Sequence, residues 1–127
     1  MTKILFLSPL LSSLMKKILL LSDTHGYIDD HMMKYVNESD EVWHAGDIGS
    51  VEVTDTISNS KPLRAVYGNI DGAELRVSFS KDLVFTSEGV RVFMTHIGGR
   101  PGRYAKGISQ QIKSVKPKIF ILSLIHI

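Results

Sequence analysis

Four short apolar runs in this chain each end on a residue able to hold a divalent cation, and that recurrence restricts the fold more than any other feature. The runs are Lys17–Ser22, Asp40–His44, Leu63–Tyr67 and Val90–Thr95. They lead into Asp23-Thr24-His25, Gly46-Asp47, Gly68-Asn69-Ile70-Asp71 and Thr95-His96-Ile97-Gly98-Gly99. The steps from Asp23 to Asp47, to Asn69 and to His96 are 24, 22 and 27 residues. One strand, one helix and two loops consume about that much chain. In an open α/β sheet the carboxyl ends of the strands face a common crevice, so residues just past them converge. The spacing therefore predicts an α/β chain that gathers Asp23, His25, Asp47, Asn69 and His96 in one place.

The chemistry of each position agrees with a metal centre. Asp23 and His25 are two apart, so extended backbone would point both the same way and turn Thr24 aside. The carboxylate of Asp47 has two oxygens and can bridge two ions about 3.5–4 Å apart, and Gly46 before it permits a sharp turn. His44 reads as a packed or supporting residue at the strand end. Asn69 offers a carbonyl oxygen to a metal and an amide to a phosphate, although Gly-Asn is also a common turn pair. Asp71 would orient that loop or a neighbouring histidine, and His96 would supply a ring nitrogen. Gly98 and Gly99 allow backbone close to a phosphate, and Arg100 and Arg103 are candidate clamps for one. Taken singly, these are also a capping Asp, a surface His and ordinary turns; their order gives them weight. His31 reads as a surface histidine, and Trp43 and Tyr104 as packing residues. Mixed oxygen and nitrogen donors suit manganese, iron, zinc or nickel rather than calcium.

In order, D-x-H, G-D, G-N-x-D and a lone His followed by Gly resemble the calcineurin-like metallophosphoesterases, and within them the small YfcE-like phosphodiesterases. The resemblance runs from Met15 to about Leu122. It implies two mixed β-sheets packed face to face with helices outside. It also implies two divalent ions, manganese first, held by Asp23, His25, Asp47, Asn69 and His96, with Asp47, Asn69 and His96 closest to the chemistry. A metal-bridged hydroxide would attack phosphorus in line, and the substrate would be a small phosphodiester or a nucleotide. The family ends its ligand set with G-H-x-H. Here Leu122-Ser123-Leu124-Ile125-His126-Ile127 puts Ser123 in the place of the Gly, Leu124 in that of the first His and His126 in that of the second. The family's C-terminal strands have no counterpart, which reads as a domain incomplete at that end. Many members carry a His after the Asn to protonate the leaving group; this chain has Ile70. The family also includes a retromer subunit that uses the fold for protein contacts. A binding scaffold with an impaired site is therefore the second reading, and a fragment without function of its own the third.

The 127 residues suffice for one domain and are few for a two-sheet sandwich. A net charge of +2 is too small to argue for nucleic acid or an anionic membrane surface, and neither is expected as a stable partner. With no cysteine there is no disulfide or thiol chemistry, which suits a cytoplasmic protein. Ile4–Leu14 is too short to span a bilayer, and no small-x-small cleavage site follows it. Met1–Ser8 repeats in Met15–Ser22 with six of eight positions identical. Residues 1–14 therefore read as an upstream extension, with 15–127 as the metallophosphoesterase domain and Met15 as an alternative start. Helices are expected over Asp29–Asn37, Val51–Ser58 and Ala105–Val115, the second weakened by its β-branched residues. Leu75–Phe79, Leu83–Phe85 and Ile119–Leu122 read as further strands. Glu88-Gly89 marks a hairpin turn, and Ile97–Tyr104 a glycine-rich loop. The sequence leaves the oligomeric state open.

Overall fold

The layers of the molecule follow from alternation along its central strands. The computed structural model describes residues 3–7, 16–96, 99–100, 103–104 and 107–123, with 3–7, 99–100 and 103–104 described by backbone alone. In chain order the strands are β1 (Lys3–Leu7), β2 (Ile18–Ser22), β3 (Glu41–His44), β4 (Leu63–Ala65), β5 (Asp82–Ser87), β6 (Val90–Thr95), β7 (Gly99–Arg100), β8 (Arg103–Tyr104) and β9 (Ile119–Leu122). The helices are α1 (Asp30–Glu38), α2 (Val51–Ser58), α3 (Ala73–Ser78) and α4 (Ile108–Val115). One sheet has the order β1-β2-β3-β4, a second β5-β6-β9, and β7 and β8 form a ribbon. β2, β3 and β4 are parallel, while β1 runs antiparallel to β2 with Lys3 opposite Ser22.

Successive side chains on a strand point to opposite faces, and both faces of β2 and β3 are covered. Leu19, Leu21 and Val42 pack with Val36 of α1 and with Val53 and Ile57 of α2. Ile18 and Trp43 turn the other way and meet Phe85, Val92, Met94 and Ile121 of the second sheet. The Trp43 and Phe85 rings meet edge to face at 4.8 Å. Burying each such side chain is worth about 1.5–3 kcal/mol, so the two sheets are fastened together by apolar contact. The result is the expected sandwich: two sheets face to face, helices on the outer face of the first. Within the buried β3, Glu41 is matched by Lys16 at 2.8 Å, Arg64 at 2.7 Å and Trp43 Nε1 at 2.9 Å.

Local chemistry sets the element ends. Asp29 caps α1 by accepting from the Met32 amide at 2.8 Å. The β5–β6 hairpin turns on Glu88 and Gly89, at φ 50° and 77°, the left-handed pair that a two-residue hairpin loop requires. α2 forms despite its β-branched residues because Val53 and Ile57 are buried. Leu75–Phe79 is not a strand: Ala73–Ser78 is helical. Ala, Glu, Leu and Arg favour a helix here, and the apparent alternation has no second buried partner, since Val77 is 88% exposed. The expected loop over Ile97–Tyr104 contains the β7–β8 ribbon, with 97–98 and 101–102 outside the described residues. α4 begins at Ile108, with 105–106 outside them as well. No helix among the described residues is long and apolar enough to cross a membrane.

Candidate metal centre

The loops that follow β2, β3, β4 and β6 are laced to one another by hydrogen bonds. Asp23, His25 and Gly26 donate their amides to the carbonyls of Gly46, Asp47 and Ile48 at 3.0, 3.1 and 2.7 Å. Asp71 ties the third loop to the second. Its Oδ2 accepts from Gly68 N at 2.8 Å and Ile48 N at 3.1 Å, and its Oδ1 from Gly49 N at 2.8 Å. His96 reaches back with Nδ1 to the Ala45 carbonyl at 2.8 Å. Ser123, just past β9, donates its amide to the His96 carbonyl at 3.2 Å.

Four of the residues expected as ligands meet inside this lacing. One ligand atom each from Asp23, Asp47 and His96 lies within 4.8 Å of the others, and all three residues are buried. His96 Nε2 is 3.2 Å from Asp47 Oδ2. His25, more exposed, places Nε2 3.8 Å from that same oxygen and 3.9 Å from Asp23 Oδ1. Asn69 is exposed and lines a cleft of about 260 Å³ together with His96. His126 lies outside the described residues, and Arg100 and Arg103 are described by backbone alone.

The Asp-x-His pair does not converge through extended backbone. Asp23 and His25 have φ of 61° and 51°, and Asp47 has 56°. Left-handed backbone is uncommon outside glycine, and such strain costs about 1–3 kcal/mol per residue and gathers at functional sites. Gly46, at φ +103°, supplies the adjoining turn, and a Cβ there would stand 2.7 Å from His96. A Cβ on Gly68 would stand 2.1 Å from Asp47 Oδ1. Both glycines let loop backbone pass directly against a ligand.

The donor set fits a divalent cation. A carbonyl can only accept, so Nδ1 of His96 donates to Ala45 and the ring turns its Nε2 toward Asp47. That buried Nε2 has no hydrogen-bond partner. A buried ring nitrogen facing one carboxylate oxygen, with a second buried carboxylate close by, is an arrangement that a cation between them would stabilise. Oxygen and imidazole donors together match manganese, iron, zinc or nickel.

Neighbouring groups hold the carboxylates in position. Ser22 and Ser123 both donate hydroxyls to Asp23 Oδ2, the latter at 2.7 Å, and Ile70 N donates to Asp47 Oδ1 at 3.2 Å. Thr24 donates to the Ile48 carbonyl at 2.8 Å and so accepts from His44 Nε2 at 3.0 Å. His44 Nδ1 in turn accepts from Gly46 N at 3.1 Å. With both nitrogens engaged, His44 is a neutral strut. Burial pushes its pKa down to about 4 against the pull of Asp71 and Asp23. Sequence reasoning passed over Ser22 and Ser123 as partners of Asp23, and Arg76 and Lys81 as walls of the cleft. Only the polar character of Ser22 beside Asp23 hinted at the first pair.

A family model described as the calcineurin-like phosphoesterase superfamily domain matches residues 15–126. Comparison with curated protein sequences gives no match. Among solved structures, a phosphoesterase-like protein of Streptococcus pneumoniae superposes with TM-score 0.64 at 20% identity, covering 87% of this chain and 63% of its own. Vacuolar protein sorting 29 of Cryptosporidium parvum gives TM-score 0.67 at 16% identity, covering 87% and 65%. An archaeal phosphodiesterase gives TM-score 0.60 at 24% identity, covering 83% and 70%. The chain thus spans less than two thirds of the first two proteins.

Proposed function

Because the chain belongs to the calcineurin-like phosphoesterase superfamily, we propose that it is a metal-dependent phosphoesterase, and more narrowly a phosphodiesterase. The observation that carries this reading is the orphaned Nε2 of buried His96, 3.2 Å from Asp47 Oδ2 with Asp23 beside them. Asp23, His25, Asp47 and His96 would hold the metal, with Asn69 at the cleft edge and His126 assigned to the set by its motif position. Two divalent ions, manganese first, would supply Lewis acidity and a nucleophilic water near neutral pH.

The chain's own groups provide positioning. Asp71 fixes the Asp47 loop against the Asn69 loop, and the two serine hydroxyls orient Asp23. The Ile70 side chain has no proton to donate to a leaving group, so esters with good leaving groups are the favoured substrates. We place the protein in the cytoplasm, in keeping with a chain that lacks cysteine.

The test is hydrolysis of an aryl phosphodiester with and without manganese. Turnover should need the metal and fall at least ~100-fold in Asp47→Asn, the scale on which enzymes lose an electrostatic or Lewis-acid contribution. Metal-independent turnover, or turnover that survives the substitution, refutes the proposal. The likeness to vacuolar protein sorting 29 supports a second reading as a protein-contact scaffold. That reading requires no metal site tighter than roughly millimolar.

A further inference from the structure

The cleft beside His96 holds two cations that the metal chemistry does not use. Arg76 and Lys81 line it together with Tyr67, Asn69 and His96. The Arg76 guanidinium lies 4.6 Å over the Tyr67 ring. Its Nε donates to the Asp71 carbonyl at 2.6 Å and its Nη2 to the Asn69 carbonyl at 3.4 Å. A guanidinium has five N–H donors, so these contacts leave the Nη1 edge unclaimed while fixing the plane of the group. Among the described residues neither Arg76 nor Lys81 pairs with an acidic side chain, and Lys81 makes no hydrogen bond.

A diester phosphate carries one negative charge, and cations held by Asp47 and His96 would already answer it. Two further positive groups on the same cleft are therefore surplus to the reacting phosphate. An immobilised arginine suits a planar or tetrahedral oxyanion, because little side-chain entropy remains to be lost on binding. The cleft volume of about 260 Å³ lies just under the ~300–1,000 Å³ of pockets for drug-sized ligands. His96 lines this same small cleft with Arg76 and Lys81, which places a second anion close to the phosphorus.

We propose that Arg76 and Lys81 form an oxyanion subsite next to the metal centre. The preferred substrates would then be small phosphate esters bearing a second anionic group a few atoms from the reacting phosphorus. This deepens the phosphoesterase reading and rests on it for the position of the first phosphate.

A matched pair of probes tests it. Propylphosphonate and 3-phosphonopropionate differ by a methyl group against a carboxylate, and their binding to the manganese-loaded full chain can be compared by calorimetry. The carboxylate probe should bind about 10-fold tighter, as expected for charge-assisted contacts at an open site. Lys81→Gln should lower that ratio about three-fold or more, and adding Arg76→Gln should bring it close to one. Lys81→Gln is the cleaner variant, because Arg76 also holds loop carbonyls. Equal affinities in the unmodified chain, or a ratio that survives both substitutions, overturn the subsite. Turnover of the propyl and 2-carboxyethyl p-nitrophenyl phosphodiesters separates the two ideas. A binding preference without turnover keeps the subsite and sinks the phosphoesterase reading; turnover without a preference does the reverse.

Discussion

Asp71→Asn probes the lacing that holds the centre together. The carboxylate accepts three backbone N–H groups, from Gly68 and Ile48 on one oxygen and from Gly49 on the other. Asparagine offers a single oxygen, so its NH₂ group must face at least one of those donors. A hydrogen bond to a charged group is worth about 1.5–3 kcal/mol, and a stranded buried donor costs about 1–3 kcal/mol. Gly49 is at the more open edge, which favours the lower part of each range, and the expected loss is about 3 kcal/mol. In a chain of 127 residues that corresponds to a Tm lower by about 10 °C. Urea unfolding in the presence of a chelator measures it, with the midpoint moving and the slope constant. Manganese affinity should fall ~10–100-fold, as when groups that orient a ligand are lost. Asp71→Ala strands all three N–H groups and should cost more. A loss under about 0.5 kcal/mol with unchanged manganese affinity, or equal losses for Asn and Ala, would refute the reasoning.

Manganese at about a hundred times its Kd should stabilise the folded chain by about 2.7 kcal/mol; fluorimetric melting should show the rise in the unmodified chain and little of it in His96→Ala. His44 gives a pH dependence. Its folded pKa of about 4 lies below the ordinary histidine value of about 6.5, so the unfolded chain binds the proton first. The stability is complete above about pH 6.5 and declines by roughly 1.4 kcal/mol per pH unit as pH falls toward the folded value, about 3 kcal/mol in all. Urea midpoints that stay flat between about pH 6.5 and 4.5 would contradict it. Gly68→Ala would set a methyl group 2.1 Å from Asp47 Oδ1 and 2.4 Å from Asp47 N. The expected cost is about 1–3 kcal/mol together with weaker manganese binding by titration. Gly72→Ala, with nothing within 4 Å of its new Cβ, should leave both unchanged.

How much of this was legible in the sequence depends on what fixes each feature. β2 and β3 are buried on both faces, so their apolar runs announce themselves. The acidic and imidazole side chains of Asp23, His25, Asp47 and His96 stand at strand ends, where chain connectivity alone brings them near each other. The backbone between them was not legible. Asp23, His25 and Asp47 are left-handed because the first site loop hydrogen-bonds to carbonyls about two dozen residues on, a pairing that local spacing does not encode. Leu75, Val77 and Phe79 alternate as a strand would, but only the fold reveals that Val77 faces solvent and that Arg76 wraps onto Tyr67. Ser22 and Ser123 meet on one oxygen from opposite ends of the domain. His126, assigned by its motif position, lies beyond the described residues.

The geometry around Asp47 yields a prediction that separates ligand from strut. One oxygen accepts the Ile70 amide at 3.2 Å, and the other faces His96 Nε2 at 3.2 Å. Without a cation the buried carboxylates of Asp23 and Asp47 lie close together and repel, and the left-handed backbone adds to the cost. In Asp47→Asn the side-chain oxygen can keep the Ile70 bond while the new NH₂ group donates to His96 Nε2, giving that orphaned atom a partner. Asparagine also enters left-handed backbone readily. The metal-free variant should therefore be as stable as the unmodified chain or up to about 1 kcal/mol more stable, although it loses turnover and metal binding. This is the trade expected where a site is arranged for charge it does not itself contain. Urea unfolding with chelator decides the matter. A loss exceeding about 1 kcal/mol would mean that the Asp47 carboxylate serves the fold in its own right, and the argument that it awaits a cation would lose its footing.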